Sequence, residues 1–384
     1  METIVVGAGQ AGIATSHELA ARGVDHLVLE AGRIGQTWRT RRWDSFRLVT
    51  PNWMNVLPGQ APTGPAEGYS TADAFVAGLS DHAARRGLPV VENTTVVTAC
   101  RTGDGFTVRT ADASYTARTL VVASGFQWQP RVPAARLPPG IASVHSSAYR
   151  NPANLPDGAV VVVGSGQTGS QLALELAGAG RTVFLCTSRV RRLPRRYRGR
   201  DMMAWWHAMG LYRQGRADLP DPTVADLAQP VVAGTEGGRS ISLHQLARAG
   251  VTLLGRLLTV DGWTLRLGDD RDENVSYADR SADEFRREVD AFLTGPPLNE
   301  EPDQADEAEA LKEAPRELDL RSEGVGSVLW CTGHSPAVDW LDVPLSTPDI
   351  HVVGRPWLTC RASGILHGMP TDAARVAAVI ARTA

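Results

Sequence analysis

Thr3-Ile-Val-Val-Gly-Ala-Gly-Gln-Ala-Gly12 decides the fold of this 384-residue chain. A short apolar run leads straight into glycines at 7, 9 and 12. Residues 13–22 then carry apolar side chains at helical spacing, which predicts a strand, a tight turn and a helix. Residues 24–30 (VDHLVLE) follow as a second buried strand ending in Glu30, so the first thirty residues make one βαβ unit. Each glycine has its own task. Gly7 permits the turn, Gly9 lets the backbone approach a pyrophosphate, and Gly12 lets the helix pack on the strand, which leaves the helix start at Gln10 and Ala11 aimed at phosphates. Glu30, with Ala31 behind it, stands where a carboxylate binds both ribose hydroxyls of an adenosine.

The pattern returns at Gly164-Ser-Gly-Gln-Thr-Gly169. Residues 159–163 read as a strand, 168–179 as a helix and 182–186 as a strand, and Gly164, Gly166 and Gly169, with Gln167 and Thr168, take the corresponding places. The second strand here ends in Cys186-Thr-Ser-Arg189, with no acid. A carboxylate there would repel a 2′-phosphate, whereas Ser188 and Arg189, backed by Arg191, Arg192, Arg195 and Arg196, offer donors to it. This points to NADPH over NADH at the second fingerprint; a solvated arginine-rich turn is the alternative.

Between the fingerprints, 90–100, 105–110 and 114–118 read as short strands of a meander that ends in 119–125 (TLVVASG). The similar stretch 327–333 (SVLWCTG) suggests that the chain returns there to the first sheet. The expected fold is therefore α/β, with two Rossmann-type dinucleotide-binding domains of the glutathione-reductase kind, the second inserted in the first. The first domain would comprise 1–150 and 325–384, the second 151–324, with a lid-like insertion around 200–250 containing MMAWWHAMGLY. Ser281-Ala-Asp-Glu284 has a capping-box pattern ahead of Phe285, Val289 and Phe292, and the acidic stretch 300–309 reads as a solvated face or linker.

Bulk properties remove several classes of function. A formal net charge of −3 gives no electrostatic case for a nucleic-acid or membrane partner, so small molecules are the expected ones. Four cysteines without a CxxC pair exclude a disulfide framework and a dithiol redox pair. No histidines or cysteines have metal-ligand spacing, so no metal is expected. The stretch METIVVGAGQ lacks the basic and long apolar regions of a signal peptide, and no apolar run has the length of a membrane span. The expected location is cytoplasmic, and oligomeric state is left open, with a homodimer among the options.

The order of the two fingerprints, Gly35-Gln-Thr-Trp38 followed by Arg39, and His145-Ser-Ser-Ala-Tyr149 resemble the flavin-containing monooxygenases and their bacterial relatives, the class B flavoprotein monooxygenases. So do Ala123-Ser124-Gly125 and Cys331-Thr-Gly333. The resemblance implies FAD on the first fingerprint and NADPH on the second. It also implies that Trp38 and Arg39 lie near the flavin or its pyrophosphate, although a Trp after such a turn also serves as core. The family's identifying Phe and Gly before the histidine are here Pro139 and Ile141, and the Baeyer–Villiger endings are missing, which favours heteroatom oxidation or carbon hydroxylation.

Residues 47–59 (RLVTPNWMNVLPG) resemble the family stretch beside the isoalloxazine, with Asn52 near the family's catalytic asparagine; Pro-Asn is also a routine turn. Gly368-Met-Pro-Thr-Asp372 precedes a helix over 373–384 whose start the family places against the flavin pyrimidine, and Thr371 or Asp372 alternatively only caps it. The expected function is an FAD-dependent monooxygenase that uses NADPH and O2, through a C4a-hydroperoxyflavin, on a small substrate, possible features of which are an aromatic ring or an amine. Trp53, Met54, Trp205, Trp206 and Met209 are candidate lining. The alternatives are an NADPH-dependent flavoprotein reductase serving a protein or small acceptor, and a sensor that keeps the nucleotide folds without turnover.

Overall fold

The computed structural model describes every residue except 128, 294–307, 312, 337 and 384. The chain opens with strand β1 (Thr3–Val6), helix α1 (Gln10–Ala20) and strand β2 (His26–Leu29). Short helix α2 (Gln36–Thr40) and helix α3 (Ala72–Arg85) lead to β3 (Val90–Val91), an antiparallel meander of β4 (Thr98–Thr102), β5 (Gly105–Arg109) and β6 (Ser114–Ala117), and then β7 (Thr119–Val122). The expected strand 90–100 is thus divided between a sheet edge and the meander. Next come β8 (Ala142–His145), β9 (Ala159–Val163), α4 (Gln167–Gly178), β10 (Val183–Cys186), α5 (Met202–Ala208), α6 (Leu243–Arg248) and β11 (Val251–Leu254). Helix α7 (Arg271–Phe292), β12 (Val325–Trp330), β13 (Ile350–Val352) and α8 (Met369–Thr383) complete the path.

Two five-stranded parallel sheets result, in the orders β13-β7-β1-β2-β3 and β11-β10-β9-β12-β8. Every residue of β1 and β9 is buried, the signature of parallel strands covered on both faces. The chain leaves the first sheet after β7, builds the second, and returns with β13, so the expected insertion of one Rossmann-type half in the other is present.

One expectation is overturned. SVLWCTG does not rejoin the first sheet, because β12 pairs with β9 on one side and β8 on the other. Its likeness to TLVVASG has another cause: β12 stands to the second fingerprint as β7 stands to the first, and the return strand is β13, which pairs with β7. The expected boundaries move with it, since β8 lies before 150 and β12 after 325, yet both belong to the second sheet. Helix α8 then lays Met369, Ala373, Ala377 and Ile380 against Ile13 and Ala14 of α1, closing the first core.

Two local expectations also change. Ser281 lies inside α7, where its hydroxyl donates to the Tyr277 carbonyl one turn back, so it is not a cap; Phe285 and Val289 are buried but Phe292 is exposed. The region around 200–250 does not stand off as a lid. Met202, Trp205 and Trp206 of α5 are buried in one cluster with Met54, Leu193, Phe285 and Val289. Most of the acidic stretch 300–309 lies outside the described residues. Among the described residues no helix is long and apolar enough to cross a membrane.

Behind that cluster, Arg195 and Asp201 form an ion pair of 2.7 Å, with side chains 1% and 0% exposed. The Tyr69 hydroxyl donates to Asp201 at 2.7 Å, and Arg195 donates to the Val49 carbonyl at 2.8 Å. Residues 49–69 are thereby tied to the start of α5, whose first turn Asp201 also caps through the Met203 N–H. Asp201→Ala leaves a buried guanidinium without its anion, so a loss of about 3–5 kcal/mol is expected in denaturant unfolding. A loss below about 1 kcal/mol, the range of exposed pairs, would show that the pair contributes little.

Helices α1 and α3 meet through His17 and His82, whose Nδ1 and Nε2 are 3.0 Å apart. Burial first, then His17, Arg86 and Arg85, lowers the His82 pKa from 6.5 to about 4. The unfolded chain therefore binds a proton that the folded chain refuses, and stability falls as pH drops from about 6.5 to about 4. Denaturant midpoints across that window should decline less steeply in His82→Gln than in the parent; parallel curves would show that this ring does not drive the decline.

Candidate functional site

Each half ends its first strand in the same backbone device. Gly7 has φ of +106° and Gly164 of +101°, in the region that favours glycine. A Cβ on Gly7 would stand 2.7 Å from the Ala123 carbonyl oxygen, and one on Gly164 at 2.7 Å from that of Cys331. Cβ atoms on Gly12 and Gly169 would fall 1.8 Å from the carbonyls of Gly7 and Gly164. Gly9 and Gly166 differ from these. A Cβ there meets nothing within 4 Å, so the middle glycines face open space.

That open space adjoins helix starts with unpaired donors. α1 and α4 begin directly after Gly9 and Gly166, with no side-chain cap and no acid in the first turn. Their first N–H groups and the helix dipole present a positive end to the cleft, suited to an anion such as a pyrophosphate. Ser124 contributes a buried hydroxyl, without a partner among the described residues, beside the first cradle, where its Cα would lie 3.1 Å from a Cβ on Gly7. Gly125 and Gly333 occupy equivalent left-handed turns after β7 and β12.

The ribose ends of the two cradles diverge as their sequences do. Glu30 is 8% exposed and accepts the Ala8 N–H at 2.6 Å on one oxygen and the Gly32 N–H at 2.9 Å on the other. Both oxygens keep a further lone pair, and Ala31 beside them is exposed. A groove of about 510 Å³, lined by Ile34, Ser80, Leu88, Val91 and Glu92 among others, opens next to this strand end. In the second half, the Ser165 hydroxyl accepts the Ser188 N–H at 2.9 Å, while Arg189 is exposed and lies 4.4 Å over the Tyr277 ring. Asn274, buried on the same helix, donates to Thr187 at 3.1 Å and fixes α7 against this strand end.

Not all of the arginine run faces the cradle. Arg192 is buried and donates to the carbonyls of Ile241 and Ser165 and to the Ser170 hydroxyl. Arg195 is committed to Asp201 and Tyr69. Arg192 and Arg195 therefore serve the fold, and Ser188 and the exposed Arg189 remain at the strand end. Gln167 is likewise engaged, its amide bonding to both the N–H and the carbonyl of Val232, while Thr168 follows it in α4.

Elsewhere the sequence expectations separate. Trp38 donates its indole N–H to Gln10 at 3.0 Å and packs on Phe75, so it braces the first cradle from behind. Gly35, left-handed at φ of +72°, starts this helix against Val76. Arg39 turns away, donating to the Ile34 carbonyl and Ser80, and packs α2 on α3. Asn52 is 5% exposed; its amide donates to the Pro65 carbonyl at 2.9 Å and accepts from Ser70 at 2.7 Å. His145 stays within the second half, at the end of β8, with Nε2 3.1 Å from the carbonyl of Gly333 in the turn after the paired strand β12, and burial lowers its pKa.

The C-terminal helix begins at Met369, four residues before the expected start, so Asp372 lies within its first turn instead of capping it. Asp372 points back to a loop, accepting from Thr359 at 2.6 Å and Ser363 at 3.2 Å, while its other oxygen is buried with no partner among the described residues. Gly368 is required by packing, since a Cβ would stand 2.2 Å from the Ala362 carbonyl. The sequence reading missed Gly354, whose Cβ would meet the Ala11 side chain at 2.8 Å, and missed Tyr277 and Arg361. A glycine closing VVG after an apolar run was the available signal for Gly354; nothing local marked the other two.

The contrast among the glycines gives a direct test. Gly12→Ala should prevent folding or lower thermal stability sharply, because backbone must move, whereas Gly9→Ala should leave the apoprotein's melting temperature nearly unchanged. Equal losses in both would mean that Gly9 serves the fold as Gly12 does.

Known proteins share this architecture. The pyridine nucleotide-disulphide oxidoreductase family matches residues 4–201. An uncharacterized CzcO-like oxidoreductase of Geobacillus kaustophilus is 26% identical over 97% of this chain and 96% of its own. The indole-3-pyruvate monooxygenase YUCCA4 of Oryza sativa subsp. japonica is 32% identical over 51% of this chain and 49% of its own. Among solved structures, a flavin-containing monooxygenase from Stenotrophomonas maltophilia superposes with a TM-score of 0.66 at 17% identity, over 100% of this chain and 98% of that one. With the family match covering both glycine cradles and more than half of the chain, this protein is an oxidoreductase of the pyridine nucleotide-disulphide oxidoreductase family.

Proposed function

We propose that the protein is a monooxygenase that holds FAD in the first cradle and NADPH in the second, and oxygenates a small substrate with O2. The observation that carries this reading is the pair of open cradles with different ribose ends, Glu30 in one and Ser188-Arg189 in the other. Glu30, already oriented by Ala8 and Gly32, accepts from ribose hydroxyls, and the N–H groups at Gln10 and Ala11 receive the pyrophosphate. Arg189, steadied over Tyr277, meets a 2′-phosphate.

The choice of electron acceptor rests on the thiols and on the relatives. Burial pushes Cys186 and Cys331 up to about 12, so neither is a thiolate at neutral pH, and all four cysteines are free. Dithiol exchange is thereby disfavoured, and the monooxygenase names among the relatives point to O2. When bound, a flavin supplies the redox chemistry that no side chain of the site offers. Asn52 is assigned the catalytic position: its amide is neutral, held at both ends by Pro65 and Ser70, and keeps a second N–H to donate.

Mixing NADPH-reduced enzyme with labelled oxygen tests this. The expected result is a two-phase return of the oxidised flavin spectrum and label in an organic product. Single-phase reoxidation, with all electrons recovered in hydrogen peroxide and no label in product across amines, sulfides, ketones and aromatic acids, would instead assign a reductase or oxidase.

A further inference from the structure

We propose that Arg361 is the carboxylate anchor of the substrate site, and that the substrate class is an aromatic carboxylate. The inference rests on the monooxygenase reading and adds the substrate class to it. Arg361 lies between two indoles, its guanidinium carbon 5.3 Å from the Trp206 ring and 5.0 Å from that of Trp357. Among the described residues this guanidinium has no hydrogen bond or ion pair, and its Nε is buried without a partner. Arg192 by contrast donates to two carbonyls and Arg195 pairs with Asp201; among the described residues Arg355, in the same loop as Arg361, also keeps a buried Nη2 without a partner. A partly buried guanidinium left with free donors costs stability unless an anion arrives to meet them.

The surrounding loop is built to hold this arrangement. Gly364 closes it tightly, since a Cβ there would stand 2.6 Å from the Pro356 nitrogen, and the Ser363 hydroxyl accepts the Thr359 N–H at 3.1 Å. Trp357 adopts φ of +56°, uncommon for a bulky side chain, and its indole N–H is buried without a partner. Backbone strain and unmet donors at one loop are the combination found where a ligand completes the hydrogen bonding. Burial, followed by the nearby Arg191, lowers the Arg361 pKa, while Tyr212 and Glu288 act the other way.

Aromatic rings continue from this cation toward Asn52. Trp206 meets Tyr212 at 5.9 Å, Tyr212 meets His367 at 5.3 Å, and His367 meets Trp53, the neighbour of Asn52, at 5.6 Å. A ring stacked along this wall, with its carboxylate in the fork of Arg361, satisfies both the apolar surface and the free donors. The phosphates of NADPH are the other anions that could reach Arg361, so the test separates the two.

The full-length flavoprotein, oxidised and without turnover, is titrated with phenylacetate and indole-3-acetate and with their neutral amides, following tryptophan fluorescence and the flavin spectrum. The acids should bind at least about tenfold tighter than the amides. Arg361→Gln should erase that preference, Arg361→Lys should keep part of it, and the NADPH Kd should stay within about twofold in both. Equal binding of acid and amide by the parent protein overturns the proposal, and requires no variant to fold. So does a variant that loses NADPH while keeping the acid preference. Tight acid binding with no label incorporated under turnover would sink the monooxygenase reading and leave the anchor standing.

Discussion

A carbonyl oxygen 1.8 Å from where a side chain would begin governs both halves of the molecule. Because Gly12 lets α1 lie against the Gly7 carbonyl, the helix start is held at the mouth of β1, and its free N–H groups project into the cleft between strand ends. The same closeness at Gly169 and Gly164 repeats the device. Everything else in the site is hung from these two crossings. Glu30 reaches the Ala8 N–H only because the turn brings it there, and Ala123 and Cys331 back the two turns from the neighbouring strands.

The two cradles share a skeleton and differ at one end, and it is on that difference that the proposed assignment of their ligands rests. A carboxylate fixed by two N–H groups suits ribose hydroxyls, while a serine and an exposed arginine suit a phosphate. The wall from Trp53 to Arg361 is assembled from four separate stretches of chain and is bound to the buried Arg195–Asp201 pair through α5. A rigid, strained loop at 355–364 is affordable there because Asp372 and Ser363 hold it from the side of α8.

Much of this was legible in advance where chemistry is local. Glycine spacing, the acid at the end of β2 and its absence at the end of β10 are short-range features, and the structure displays each in the expected place. Legibility failed where two stretches look alike for reasons of symmetry. SVLWCTG and TLVVASG are similar because each backs a glycine turn, and nothing within either says which sheet it joins. It failed again for long polar side chains: Arg39 and Arg192 have the right type for a ligand site, yet Arg39 donates to Ser80 and Arg192 to the Ile241 and Ser165 carbonyls, partners brought in from other elements.

The sequence by itself therefore determined the repeated βαβ units and the distinct character of their ribose ends, since these follow from backbone sterics and from charge within some thirty residues. Only the tertiary structure decided which strands share a sheet, which arginines are structural and which remain free, and that Arg361 is stacked between Trp206 and Trp357. The physical reason is that a side chain's availability depends on the partners that burial brings within hydrogen-bond reach, and those partners lie tens to hundreds of residues away.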